Sequence, residues 1–407
     1  MAETVKDWMR RWLNPPLIVI TLLLGIFGAV IVTAAVQGYI LSASMVKKEY
    51  LGLIVGAVLA GVIAAIDYRH FRNWWPGLLV LTGVLIFLPK VPGLGVQGAL
   101  GGTLWVGIGG HSLFQPSEPA KLLTILAIAS YVARFEGRID RVRDFLISAG
   151  IALIPFLLLI AQGDLGTGLV SLAIMLGVLL IGGAQLKHLL VFIICGIALV
   201  AGLLWLNTAM GTYTVKNKDG STYQEYHLIK SYQLDRLTAF VNQQDDSSSA
   251  GYQLKQSKIS IGSGQFTGSG LKGGTQSTLD FLPTRPTDFI FATLAEKTGF
   301  VGCICLLALY LALLITSLSI GSSSDDLFGT LIVVGVIAMW VFQILENIGM
   351  NMGLMPITGI PLPFMSYGTT ALMTNLMCVG LLASVWGHRP YLSSTKGVRR
   401  GISYQGR

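Results

Sequence analysis

Asp288 stands in Phe281-Leu282-Pro283-Thr284-Arg285-Pro286-Thr287-Asp288-Phe289-Ile290-Phe291, where a polar stretch gives way to a long apolar run. A carboxylate there can be a general base toward a hydroxyl group, or a cap for the helix that follows. Two prolines and Thr287 predict a sharp helix start with Asp288 in its first turn. Glu296, eight residues on, then shares its face, so both carboxylates can point into one cavity with Lys297 nearby. A second constellation is Gln115-Pro116-Ser117-Glu118-Pro119-Ala120-Lys121. Ser117 suits an N-cap and Pro119 a first turn. Glu118 and Lys121, three apart, share a helix face and read equally as a structural ion pair or as a pair lining a cavity.

Three further motifs are less specific. Gln162-Gly163-Asp164-Leu165-Gly166-Thr167 reads first as a turn in which Asp164 caps the next helix. Ile261 to Gln276, IGSGQFTGSGLKGGTQ, lacks the G-K-[ST] ending and the βαβ setting of a nucleotide loop, so it reads as a flexible loop whose amides could still meet a pyrophosphate. Glu346 to Asn351 leads into Pro356 to Gly368, whose three prolines predict a re-entrant or irregular segment, tolerated at membrane depth only where it is buried or lines a cavity.

The elements that must position these residues are apolar runs around 17–36, 50–66, 76–89, 119–134, 144–161, 164–182, 187–207, 294–318, 328–349 and 368–388. The chain therefore reads as an all-α integral membrane protein of about ten transmembrane helices. With 53% hydrophobic and only 12% charged residues, a soluble domain is excluded. Arg69, Arg72, Arg134, Arg138, Arg141, Arg143 and the basic tail all fall on one side if both termini are cytoplasmic. The same placement explains the net charge of +8 without invoking nucleic acid. Four cysteines inside apolar runs argue for packing and against disulfides or a metal site. The first run is too long for a signal-peptide core and reads as an uncleaved span. The whole chain, 1–407, is expected to form one polytopic unit, with a large extracytoplasmic loop at 208–287 between spans seven and eight and a cytoplasmic tail at 389–407. Within that loop Gln243 to Gly251 reads as disordered and Tyr252 to Asp288 as structured. Gly52 and Gly56 have the spacing of close helix packing in lipid.

QPSEPAK at Gln115 to Lys121, FLPTRPTDFIF at Phe281 to Phe291 and PITGIPLPFMSYG at Pro356 to Gly368 resemble, in this order, motifs of the SEDS family of bacterial cell-wall proteins. The resemblance runs over roughly residues 17 to 388, and its ITGIPLPF wording is closer to the RodA branch than to the FtsW branch. It implies a ten-span peptidoglycan glycosyltransferase of the cytoplasmic membrane, polymerising lipid II on the outer face in cell elongation and working with a class B penicillin-binding protein, a transpeptidase. By the same resemblance Asp288 matches the family's essential aspartate, and Glu118 and Lys121 its acidic and basic cavity residues. Trp105, Gln115, Ser117, Arg236, Gln256, Ser257, Ser263, Gln276 and Ser366 match other motif positions. Thr284, Pro286, Leu104 and the SYGTT at Ser366 to Thr370 depart from the family pattern, and Gly211 to His227 resembles an insertion.

In that setting Asp288 is expected to act as base. Lys121, Arg236 or Arg285 would neutralise the departing pyrophosphate of the lipid-linked glycan strand, with Glu118 and Glu296 lining the cavity. A divalent cation could replace or assist the lysine, and no other cofactor is implied. A lipid II flippase and a non-catalytic scaffold for the transpeptidase are the rival readings. The gathering of polar residues at one side of the membrane argues against the flippase, and Asp288 is unexplained by the scaffold.

Overall fold

The computed structural model describes residues 14–37, 39, 42–97, 103–109, 111–216, 222–226, 231–243, 249–274, 282 and 284–389. Apolar helices account for most of them. They are α1 (Pro15–Ala35), α2 (Ser42–Ala65), α3 (Trp75–Phe87), α4 (Ser117–Val132), α5 (Val142–Gln162), α6 (Leu165–Ile181), α7 (Leu186–Ala209), α10 (Ile290–Ser322), α11 (Leu327–Met352) and α12 (Thr369–Gly387). Seven of the described helices are long and apolar enough to cross a membrane, and two apolar helices are shorter. With α4, a helix of 16 residues, the ten apolar runs of the sequence correspond to ten helices, most ends lying within a few residues and α2 starting well before its run, at Ser42.

Local signals set those ends. Asn14 caps α1 by accepting the Leu17 amide at 3.1 Å, ahead of Pro15 and Pro16 in the first turn. Asp164 caps α6 through the Thr167 amide at 3.0 Å, as its place in the turn predicts. Asp326 does the same for α11 through Gly329. Gly163 and Gly353 close α5 and α11 in the left-handed conformation. All four cysteines are free.

Close packing follows the small residues. A Cβ at Gly56 would lie 2.6 Å from Leu376 Cδ1, so α2 and α12 approach nearer than larger side chains permit. In contrast, α7 buries only Leu189 and Asn207, an all-round apolar surface suited to lipid. α10 is broken at Gly299, whose φ of 64° and ψ of −164° lie outside the helix.

Smaller elements lie in the connections between these helices. A three-stranded antiparallel sheet, β1 (Gly95–Gln97), β2 (Thr103–Ile108) and β3 (His111–Phe114), leads into α4. A hairpin of β4 (Thr212–Lys216) and β5 (Thr222–Tyr226) follows α7 and occupies the stretch read as an insertion. Two polar helices follow, α8 (Ser231–Val241) and α9 (Ser249–Ser263); α9 packs on α10 and α11, and α8 on α9. Ser249 to Gly251 therefore belong to a helix and are not part of a disordered stretch. Residues 244–248 lie outside the described residues.

Candidate functional site

The connections before α4, α6, α10 and α12 meet at one place, and Asp288 stands at its centre. It occupies a turn spanning Thr284 to Phe289, and α10 begins only at Ile290. Asp288 is therefore ahead of the helix and not in its first turn, and the eight-residue helical relation to Glu296 does not hold. Glu296 is buried, and its neighbour Lys297 donates to the Gly273 carbonyl. No described contact joins Glu296 to Asp288.

The backbone of Asp288 is fixed from α11. Asn347 Nδ2 and Asn351 Nδ2 both donate to its carbonyl, at 2.9 and 3.1 Å. Four residues apart on one helix face, they are fully buried and cannot leave that carbonyl without losing hydrogen bonds. Asn347 also donates to the Ile360 carbonyl at 2.8 Å, and Asn351 accepts the Ala292 amide and the Ser257 hydroxyl, each at 3.2 Å. One pair of amides thus ties the Asp288 turn to the irregular segment, to α10 and to α9.

The side chain of Asp288 stays partly exposed, facing Gly359 and Arg236. Burial raises its carboxyl above the ordinary range, and the Arg236 guanidinium and the Thr287 hydroxyl work against that rise. Arg236 itself donates to the Thr358 carbonyl at 3.0 Å. Thr358 also gives its hydroxyl to Glu346 of α11.

The segment that carries Thr358 is non-helical yet buried, as its prolines predict. Ser366 Oγ donates to the Thr287 carbonyl at 2.7 Å and accepts the Leu362 amide at 2.8 Å. The Tyr367 amide reaches the Pro286 carbonyl at 2.7 Å, and Tyr310 Oη the Pro363 carbonyl at 2.6 Å. These partners replace the water that such backbone would otherwise need.

Glu118 and Lys121 lie on α4 with Lys121 Nζ 2.8 Å from Glu118 Oε2, and their side chains are 4% and 2% exposed. They sit beside Cys378 of α12, and no described hydrogen bond or ion pair links either to Asp288. The connection is indirect. Ser117 is the first helical residue and not the N-cap, and its hydroxyl accepts from Gln115 Nε2 at 3.1 Å and donates to Asp164 Oδ2 at 3.0 Å. Two residues after Asp164, Gly166 packs so tightly on Thr358 that a Cβ would lie 3.1 Å from its carbonyl oxygen. Beside Pro119 and Thr370, an apolar groove of about 340 Å³ opens between α2 and α12.

Other expected site residues are placed elsewhere. Arg285 is fully buried and donates from Nε to the Ala35 carbonyl and from Nη2 to the Gln37 carbonyl, both at 2.8 Å, with its guanidinium 4.6 Å from the Tyr39 ring centroid. It closes the C-terminal end of α1, where the helix dipole favours a cation. Trp105 lies on β2 opposite Val96, and Ser263 ends α9 with its hydroxyl on the Ser260 carbonyl. Gln276 lies outside the described residues. The glycine stretch is bound to the broken α10: the Ser269 and Gly270 amides donate to the Glu296 and Lys297 carbonyls at 2.9 and 3.0 Å. Those amides are not available to an anion. Among the described residues no group of three or more His, Cys, Asp and Glu side chains is placed to hold a metal ion.

Sequence reasoning did not single out Glu346, Asn347, Asn351 and Thr358 for the site. The polar spacing of Gln343, Glu346, Asn347 and Asn351 within an apolar run was the available signal.

A family model described as "Cell cycle protein", covering FtsW, RodA and SpoVE, matches residues 15–391. The chain is 34% identical to the peptidoglycan glycosyltransferase MrdB of Escherichia coli (strain K12) over 392 residues, 95% of this chain and 97% of that one. It is 32% identical to the stage V sporulation protein E of Bacillus subtilis (strain 168) over 381 residues, 92% and 97% of the two chains. A solved chain from work on "polymerization and crosslinking by a peptidoglycan synthase complex" superposes with a TM-score of 0.73 at 27% identity, covering 92% of this chain and 97% of that one.

Proposed function

Since this chain belongs to the FtsW, RodA and SpoVE family of cell cycle proteins and is a peptidoglycan glycosyltransferase, we propose that it polymerises lipid II at the Asp288 site, in cell elongation. The ten apolar helices are read as ten spans of the inner membrane. Both termini are cytoplasmic, and the 208–287 loop, with the whole site, is on the outer face. The basic connections at Arg69 to Arg72 and Arg134 to Arg143 support that orientation.

In the reaction, the 4-hydroxyl oxygen of the acceptor sugar attacks the anomeric carbon of the lipid-linked glycan. The hydroxyl proton passes to the Asp288 carboxylate as the bond to the lipid pyrophosphate breaks, and direct displacement inverts the anomeric centre. The leaving group departs as an anion and needs positive charge. Arg236, beside Asp288, supplies it, and the buried Lys121 adds to the field from α4. Arg285 is left out of this role because it is committed to α1. The apolar groove beside Pro119 suits a polyprenyl chain. A class B penicillin-binding protein is the partner that cross-links the product.

The observation that carries the reading is the partly exposed side chain of Asp288, set beside Arg236 on a turn whose backbone two buried asparagines fix. The test is labelled lipid II in proteoliposomes, with and without the transpeptidase. Wild-type protein makes polymer and Asp288→Ala makes none while remaining folded. Polymer from the variant removes Asp288 as base. Leaflet exchange without polymer from the wild type indicates a flippase, and neither activity, even with the transpeptidase, indicates a scaffold.

A further inference from the structure

Glu346 is the carboxyl that this reading leaves unused. It lies on the polar face of α11 shared by Gln343, Asn347 and Asn351, and is 3% exposed. Its Oε1 takes the Thr358 hydroxyl, while its Oε2 is buried without a hydrogen-bond partner among the described residues. The Thr358 carbonyl holds Arg236, and the next residue, Gly359, lies against Asp288 Oδ2. One dipeptide therefore gathers two carboxyls and a guanidinium, and Glu346 interacts electrostatically with both Asp288 and Arg236.

The chemistry explains why a second carboxyl is useful. Burial raises the Asp288 carboxyl, while Arg236 favours its ionised form and so works against it as a base. A second negative charge offsets the guanidinium and restores proton affinity to Asp288. A glutamine would satisfy Thr358 equally well, but it would carry no charge.

We propose that Glu346 is a positioning residue of the glycosyl-transfer centre: its carboxylate, held by Thr358, balances Arg236 and keeps Asp288 basic enough to take the acceptor proton. The proposal rests on Asp288 being the base. Glu346 exchanges no atom in the step and acts only through its charge. The groups that face it are Asp288 from the turn before α10, Arg236 from α8, and the hydroxyl of Thr358. Asp164, which approaches Thr358 through Gly166, has its two oxygens engaged by Ser117 and Thr167.

The test is the pH profile of lipid II polymerisation in proteoliposomes for wild type, Glu346→Gln, Glu346→Asp and Asp288→Ala. Glu346→Gln keeps the acceptor oxygen for Thr358 and loses the charge. Its acidic limb is expected to move down by on the order of one pH unit, with a several-fold lower plateau kcat and an unchanged KM. Glu346→Asp keeps the wild-type limb. A Glu346→Gln limb that coincides with wild type, or activity lost at every pH in folded protein, overturns the proposal. If Glu346→Gln does not fold, Glu346→Ala, which removes the same charge, is read in the same way. Polymer from Asp288→Ala overturns the base assignment itself. An inactive Asp288→Ala beside an unmoved Glu346→Gln limb overturns only the role of Glu346.

Discussion

Gly359 separates the strain of a backbone from the placement of a catalytic group. Its φ of 77° is left-handed, and a Cβ there would lie 3.3 Å from Asp288 Oδ2 and 3.7 Å from Arg236 Nη1. Gly359→Ala therefore carries two costs. The first is about 1–2 kcal/mol for a side chain in the left-handed region. The second is a displacement of the Asp288 carboxylate by a few tenths of an ångström or more, because that contact is tighter than an ordinary carbon–oxygen approach. A misplacement of about 1 Å lowers a rate about a hundredfold, so a loss between about ten- and a hundredfold is expected here. Gly137→Ala is the control. Its φ of 84° carries the same conformational cost, and its Cβ would meet nothing within 4 Å. Thermal unfolding in detergent should show equal destabilisation of the two variants, while polymerisation per folded molecule falls only for Gly359→Ala. If Gly359→Ala polymerises at the rate of Gly137→Ala, the Asp288 carboxylate is not held against Gly359 during catalysis and the geometry of the site is refuted.

Replacing Lys121 by Met should destabilise the protein by about 3–5 kcal/mol, because it strands the Glu118 carboxylate in a buried position, and adding Glu118→Gln should recover most of that loss. The double variant, measured in the polymerisation assay, then shows what the pair contributes besides stability. Arg285→Met removes two charged hydrogen bonds from the end of α1 and should lower thermal stability by about 3 kcal/mol or more. A change confined to KM for lipid II would instead return Arg285 to the substrate site. For Asp288 the folded state binds its proton more tightly than the unfolded chain, whose value is near 3.8. The stability that this proton contributes is present at low pH and lost as pH rises through the raised value. Asp288→Asn, followed by unfolding from about pH 4 upward, should show less loss of stability with rising pH than wild type.

Most of the helical architecture was legible in residue order alone. Ten apolar runs became ten helices, because in lipid a backbone has to satisfy its own hydrogen bonds, and seven of the described helices are long and apolar enough to cross a membrane. The cap at Asp164, the Gly52 to Gly56 approach and the Glu118–Lys121 pair are local, set within three or four residues or by the size of one side chain. Periodicity failed where the chain is not periodic. Glu296 was assigned to the Asp288 cavity by counting helical turns from a residue that precedes the helix, and the glycine stretch was offered to an anion although its amides bind the broken α10. Arg285 was offered to the pyrophosphate as a cation three residues from Asp288, whereas its acceptors, Ala35 and Gln37, lie some 250 residues earlier. The same separation hid Glu346, Asn347 and Thr358. Their hydrogen bonds and charges act over a few ångströms of space, and those distances exist only once α8, α11 and the proline-rich segment have packed around the turn at Asp288.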